Sequence, residues 1–253
     1  MSRLSLSYHQ EHCVRSAGKL MQVTEMVHPG ARIGVAVSGG VDSWVLLKTL
    51  LIRQRIVPFP FEVMALHVNP GFDRHNHAPL IPWLSANGLS GHIEVSDHGA
   101  RAHSEENRRR SPCFYCALLR RKSLFLMCQQ YGLTHLAFGH TAEDLATSFL
   151  MNAFEAGNIM GMSMKEPFFE GRLTVMRPLL QVEKKYIIKA ARQWDLPVWE
   201  NPCPSAGKTS RKTLMDDLDT FCQGHKSRKR NFFNALGRWQ LERTLNRGDR
   251  RGG

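Results

Sequence analysis

The stretch Ile33-Gly34-Val35-Ala36-Val37-Ser38-Gly39-Gly40-Val41-Asp42-Ser43-Trp44-Val45-Leu46-Leu47 decides the fold. Its first five residues read as a strand apolar enough to lie in a parallel sheet covered on both faces. Its last four begin an apolar helix, and Ser38 to Ser43 form the turn between them. Two adjacent glycines let backbone N–H groups turn toward an anion without a Cβ in the way. Ser43 opens the helix, so its hydroxyl and the unpaired first-turn amides face the same anion at the positive end of the helix dipole. Strand, loop and helix start together predict a phosphate or pyrophosphate site. The competing reading is a plain glycine turn between strand and helix.

Outward from this window, apolar periodicity predicts a helix from about Tyr8 to Met26 and another from Val45 to Arg55. Strands are expected at 61–68, 92–95, 134–139 and 173–176, and helices at 114–131, 143–153 and 183–194. The remainder reads as an irregular loop and two helices. This βα alternation predicts an α/β fold: a doubly wound, mostly parallel five-stranded sheet with helices on both faces, flanked by N- and C-terminal helices. Three segments follow, an N-terminal helical stretch (1–30), a nucleotide-binding domain (31–205) and a basic helical extension (206–253).

The 253 residues carry a net charge of +12, and the isoelectric point is near 9.8. Such an excess favours a polyanionic partner, nucleic acid first, because Lys and Arg that neutralise phosphates release counterions. No apolar run approaches the roughly 18 residues of a membrane span, and Met1-Ser2-Arg3-Leu4 lacks a signal peptide's apolar core. A cytoplasmic location is expected, where six cysteines serve as ligands, nucleophiles or core residues rather than disulfides. Cys113 and Cys116 have ligand spacing, while Cys13, Cys128 and Cys222 stand isolated on helical segments and read as small apolar residues. Gly207-Lys208-Thr209 imitates the end of a Walker A loop, but Pro202 occupies the upstream glycine position and no strand precedes it.

Ser-Gly-Gly-x-Asp-Ser after a first strand resembles the signature of the PP-loop ATP pyrophosphatases, also described as adenine nucleotide alpha hydrolase-like. Those enzymes split ATP between its α and β phosphates. Cys113-Phe114-Tyr115-Cys116, Arg120-Arg121, Phe138-Gly139-His140-Thr141-Ala142-Glu143-Asp144, Arg177-Pro178-Leu179 and Pro202-Cys203 are similar, in order and spacing, to the tRNA 2-thiocytidine synthetase family, TtcA. The likeness runs from about Gly18 to Asp217.

The resemblance implies an ATP-dependent tRNA sulfurtransferase that adenylates a base carbonyl, cytidine C2 first, and replaces the oxygen with sulfur. It implies ATP contacts at Ala36, Val37, Ser38, Gly39, Gly40, Asp42 and Ser43, at His67 and Val68, where adenine is recognised largely through backbone, and at Gly139 and His140. Asp42 and Asp144 would organise Mg²⁺ and the phosphates, as carboxylates suit a hard cation, and Arg120 would stabilise the adenylation transition state. Cys113, Cys116 and Cys203 would hold a 4Fe-4S cluster. Thiolate spacing alone equally admits Zn²⁺ with His103 or His225 as a fourth ligand, or a metal-free persulfide pair of Cys113 and Cys203. For Asp144 the competing role is helix capping, and for His140 a structural hydrogen bond. Sulfide or a persulfide carrier protein would supply the sulfur, and pairing into a homodimer is a family habit.

Two departures stand out: Val41 replaces the lysine common inside the TtcA loop, and Cys203-Pro204-Ser205-Ala206 keeps only the first cysteine of a second Cys-x-x-Cys. Rival functions are a PP-loop AMP-forming ligase acting on another RNA base or a small amide, and a non-enzymatic RNA-binding or redox-sensing iron–sulfur protein. Two basic clusters are candidate RNA contacts. One is Arg108-Arg109-Arg110. The other is Arg228-Lys229-Arg230, within a segment where Lys226, Arg238, Arg243, Arg247, Arg250 and Arg251 further outweigh Glu242 and Asp249. Phe232, Phe233 and Trp239 are interleaved there, to stack on unpaired bases or else to pack a solvated helix onto the domain.

Overall fold

Strand β1 (Arg32–Ala36) lies at the centre of a sheet whose order is β3-β2-β1-β4-β6-β5 in a computed structural model describing residues 5–207, 210–225 and 227–249. The other strands are β2 (Glu62–Asn69), β3 (Gly91–Val95), β4 (His135–Ala137), β5 (Lys165–Phe168) and β6 (Leu173–Met176). Strands β1, β2, β3, β4 and β6 run parallel, with Val35 opposite Ala65 on one side and Ala137 on the other. The sixth strand corrects the expected count of five: β5 pairs antiparallel with β6 and forms the edge. Its sequence, Lys-Glu-Pro-Phe, shows no alternation, and Pro167 is tolerated because an edge strand has one side without ladder bonds.

Nine helices are described: α1 (Tyr8–Val23), α2 (Val41–Gln54), α3 (Leu80–Ala86), α4 (His98–Ala102), α5 (Pro112–Gln130), α6 (Ala142–Glu155), α7 (Lys184–Gln193), α8 (Ser210–Cys222) and α9 (Arg228–Asp249). Alternation along the strands divides the core into two layers. Ile33, Val35 and Ala65 join Trp44, Leu47 and Leu50 of α2, Leu20 of α1 and Ile187 of α7. On the opposite face Leu66, Val68, Leu136 and Val175 pack under Leu124, Met127 and Cys128 of α5. Each large side chain buried this way contributes about 1.5–3 kcal/mol. The N-terminal helix is thus part of the main core, while α8 and α9 stack on α6.

The strand order reverses at β1, which has β2 and β3 on one side and β4 on the other. Parallel sheets open a crevice outside the carboxyl ends of the strands at such a point. Everything chemically notable lies there. A larger hollow of about 790 Å³ sits around Arg32, Glu62 and Leu133 and contains none of the expected site residues.

Candidate nucleotide and cysteine site

The chain leaves β1, passes through Val37, Ser38 and Gly39, and enters α2 at Val41, four residues earlier than its apolar pattern indicates. Gly40 is the extended N-cap residue, so Asp42 and Ser43 fall in the first turn, where the dipole favours an acid. Ser43 uses its hydroxyl to build the loop rather than leaving it free: Oγ donates to the Gly40 carbonyl at 2.8 Å and accepts from the Ser38 N–H at 3.1 Å. Gly39 has φ +92°, and a Cβ there would meet the Trp199 ring at 2.2 Å. On the other side Gly139, just past β4, abuts the loop so closely that a Cβ would lie 2.9 Å from the Asp42 carbonyl.

A cleft of about 300 Å³ opens above the loop. Of the expected nucleotide contacts, Ala36, Val37, Ser38, Asp42, Ser43, Val68, Gly139 and His140 line it, together with Asp144 and Arg120. Gly39, Gly40 and His67 do not. The His67 ring is fully buried behind the loop, with Nδ1 2.7 Å from the Val37 carbonyl oxygen, and burial lowers its pKa to about 4. It braces the strand end as a neutral imidazole. His140 is also held neutral by burial, opposed by nearby Asp144, and its Nδ1 has no partner.

Asp42 is the most constrained acid. Burial raises its carboxyl pKa while Lys184, with Nζ 2.8 Å from Oδ2, lowers it. Oδ1 is buried and has no hydrogen-bond partner among the described residues, a position suited to a hard cation. Asp144 already has a structural duty, since Oδ2 accepts from the backbone N–H and the hydroxyl of Thr141, the N-cap residue of α6. The capping role is real, and the cleft exposure of Asp144 adds to it.

The cysteines form an adjoining corner. Ser111 caps α5 by accepting from the Phe114 N–H at 3.3 Å and Pro112 occupies the first turn, so the helix begins before Cys113 and places Cys113 and Cys116 one turn apart. Cys203 arrives on the segment after α7, which is fastened to the phosphate loop: the Trp199 N–H donates to the Gly39 carbonyl at 3.0 Å and the Asn201 side chain donates to the Ser38 carbonyl at 3.1 Å. The Cys116 thiol is pushed up by burial, pulled down by Arg120 and raised again by Cys203 and Cys113. Arg120 feels both Cys116 and Cys203, and burial lowers its pKa. Its Nε is buried and has no hydrogen-bond partner among the described residues. Arg120 therefore lines the nucleotide cleft and lies near enough to Cys116 and Cys203 to feel their charge.

His103 is no ligand to that corner. Its Nδ1 lies 2.9 Å from the Gly99 carbonyl oxygen and its Nε2 lies 2.9 Å from Ser205 Oγ. Among the described residues no group of three or more His, Cys, Asp or Glu side chains gathers as the ligands of a single ion. Cys13 and Cys128 are buried, and burial pushes each thiol up to about 12.

A model of the PP-loop domain matches residues 10–218. The tRNA-cytidine(32) 2-sulfurtransferase of Geobacter metallireducens is 32% identical over 232 residues, covering 91% of this chain and 90% of that protein. This chain belongs to the PP-loop family, in its TtcA branch. The corresponding protein of Bordetella pertussis is 33% identical over 218 residues, 84% of this chain and 67% of that protein. Among solved structures, the U34-tRNA thiolase NcsA from Methanococcus maripaludis with its [4Fe-4S] cluster superposes with a TM-score of 0.72 at 21% identity, covering 96% of this chain and 88% of that one. That likeness concerns the fold.

Outside the cleft, this PP-loop protein treats its two basic clusters differently. Arg108, Arg109 and Arg110 are all exposed on the loop leading into the cysteine helix, with the Arg110 guanidinium 5.2 Å from the Phe114 ring centroid. In α9 the aromatics are not free to stack on bases: Phe233 is buried, and Phe232 and Trp239 pack edge-on against Phe149 of α6. Lys229 is paired to Asp219 at 2.5 Å, while Arg228, which lies over Phe221, and Arg230 are both exposed. Lys226, Arg250, Arg251 and the Lys208-Thr209 pair lie outside the described residues. No helix among the described residues is long and apolar enough to cross a membrane.

Several site residues escaped sequence reasoning. Arg211 lines the cleft, as does Arg121, which stood in the Arg120-Arg121 motif without a role of its own; Trp199 and Asn201 hold the loop, and Lys184 reaches Asp42. Besides Arg121, the pair Lys184-Lys185 carried a signal, because lysines opening a helix oppose its dipole.

Proposed function

We propose that this chain uses ATP to adenylate a cytidine of tRNA and replaces its 2-oxygen with sulfur. The observation that carries this reading is Arg120, which lines the nucleotide cleft and is electrostatically coupled to Cys116 and Cys203. An activation site and a sulfur site one side chain apart suit a reaction in which the same base carbon is first activated and then attacked.

In the first step the cytidine oxygen attacks the α-phosphorus and pyrophosphate leaves. In the second, sulfur adds at C2 and the adenylated oxygen departs as AMP. The glycine loop and the positive N-terminal end of the α2 dipole hold the departing pyrophosphate. Asp42, through its unpartnered Oδ1, and Asp144 are the residues that would hold Mg²⁺, which offsets phosphate charge when bound. Arg120 lies where charge develops between the two steps and needs no reorganisation to stabilise it. His140, kept neutral by burial, orients the acceptor without adding charge.

Cys113, Cys116 and Cys203 would hold a 4Fe-4S cluster, their thiols being soft ligands. A cluster takes one cysteine per iron and so spreads its ligands wider than one tetrahedral zinc, whose sulfurs lie within about 4 Å of each other. The absence of a single-ion ligand group among the described residues is compatible with that spacing. Such a cluster, when bound, offers an iron without a protein ligand from which sulfur is delivered. Ala206 follows Cys203 where a fourth cysteine would stand.

Nucleoside mass spectrometry of tRNA from cells with and without the chain tests the reading. Loss of 2-thiocytidine on deletion, restored by the wild-type chain but not by Asp42→Ala or Cys203→Ser, is the expected result. An unchanged nucleoside profile, with pyrophosphate still released in the presence of another acceptor, moves the assignment to an AMP-forming ligase.

A further inference from the structure

The phosphate loop contains no lysine: Val41 stands between Gly40 and Asp42, and Ser38 to Ser43 has no basic side chain at all. A cation reaches it from elsewhere. Lys184 is the first residue of α7, and its Nζ lies 2.8 Å from Asp42 Oδ2 across a sequence separation of 142 residues.

Three observations separate this contact from an ordinary surface ion pair. Lysine at a helix N-terminus is disfavoured by the dipole, yet Lys184 and Lys185 open α7. The position is also fixed from behind, because the Glu143 carboxylate accepts from the Lys184 backbone N–H at 2.9 and 3.0 Å. Finally, the Lys184 side chain is 45% exposed against 23% for Asp42, so solvent screens the lysine side of the contact and leaves the ammonium room to change partner. Asp42, Asp144 and Glu143 all act to keep the ammonium charged against the burial that opposes it.

We propose that Lys184 is the phosphate-binding cation of this loop, exchanging Asp42 for the β and γ phosphates when nucleotide and metal enter. The inference rests on the ATP reading given above and assigns its pyrophosphate end. A bound triphosphate would offer the ammonium several anionic oxygens in place of one carboxylate, and Asp42 would then be free to hold a hard cation. Lysine suits this duty as a compact, mobile charge. The exchange needs no backbone movement, since a long flexible side chain supplies it.

Calorimetric titration of the full chain with ATP and Mg²⁺, with pyrophosphate and with AMP tests it, and needs neither tRNA nor sulfur. Lys184→Met is expected to weaken ATP and pyrophosphate roughly tenfold or more, the worth of one charge-assisted contact, and to leave AMP unchanged. Lys184→Arg should keep most of the affinity, and Val41→Lys added to Lys184→Met should restore it from within the loop. Lys184→Gln repeats the comparison should the Met variant not fold. Equal weakening of ATP and AMP, or no weakening of either, overturns the proposal. Wild-type protein that binds no ATP overturns it together with the ATP reading, whereas wild-type protein that shows the expected ATP, pyrophosphate and AMP pattern without thiolating tRNA overturns only the tRNA reading.

Discussion

Gly139 shows how much of this site depends on the lack of one carbon. A Cβ there would meet the Asp42 carbonyl carbon and oxygen at 2.9 Å and the Ser43 nitrogen at 3.0 Å, all backbone atoms that cannot swing aside. Gly139→Ala must therefore push the end of β4 away from the phosphate loop. Overpacking of this kind costs about 1–3 kcal/mol, and here the strain falls on the nucleotide site. We expect ATP affinity to drop by roughly tenfold or more while circular dichroism shows an intact fold; an unchanged affinity would mean that loop and strand separate freely. The need for glycine was legible, since Gly139 was singled out beside His140, but its partner was not, because the contact joins residues about a hundred positions apart. Lys184 was hidden for the same reason. His67 illustrates the reverse: its position at the strand end was legible, whereas its direction, toward Val37 and away from the cleft, depends on how β1 and β2 pair.

At the level of elements, α6 carries two duties in one side chain. Asp144 caps the helix through Thr141 and faces the cleft, and substitution can separate these duties. Asparagine keeps an oxygen to accept from the Thr141 N–H, so Asp144→Asn preserves the cap and removes only the charge. Its urea midpoint should match the wild type, and its pyrophosphate release should fall by roughly tenfold or more. Release at the wild-type rate would leave capping as the whole role of Asp144. Thr141→Ala is the complementary change: losing the hydroxyl should cost about 0.5–2 kcal/mol of stability, read from the same urea curves. The central elements were legible because β1, β2 and α2 are built from long apolar runs whose period admits one reading. Strand β5 was not, since its charged and proline-containing sequence becomes a strand only by pairing with β6. In α9 the aromatics fitted base stacking and core packing equally well, and Phe149 on a distant helix decided for packing.

Across the whole molecule, buried histidines and exposed arginines make opposite demands on solution conditions. His67 and His135 are each lowered by burial to about 4, below the unfolded value of 6.5. Both are neutral in the folded chain at pH 7, and the unfolded chain takes up their protons first as pH falls. Their contribution is complete above pH 6.5 and is lost as pH drops toward 4, at up to about 1.4 kcal/mol per pH unit for each. Urea midpoints at pH 7.5, 5.5 and 4.5 should decline in that order. The net charge of +12 acts on the partner instead. Each phosphate contact adds about 0.7–0.9 to the slope of log K against log salt, whether the RNA is single-stranded or duplex. The exposed Arg108, Arg109 and Arg110 adjoin the cysteine helix, whereas in the other trio Lys229 is tied to Asp219. Changing the first trio to alanine should therefore reduce the slope by about 2 or slightly more, and changing Arg228, Lys229 and Arg230 should reduce it by about 1.5, since Lys229 is held by Asp219. Filter binding of tRNA between 50 and 250 mM salt, a range of roughly fivefold chosen to expose such slopes, measures both; equal losses would show that α9 guides RNA as strongly as the loop before Cys113.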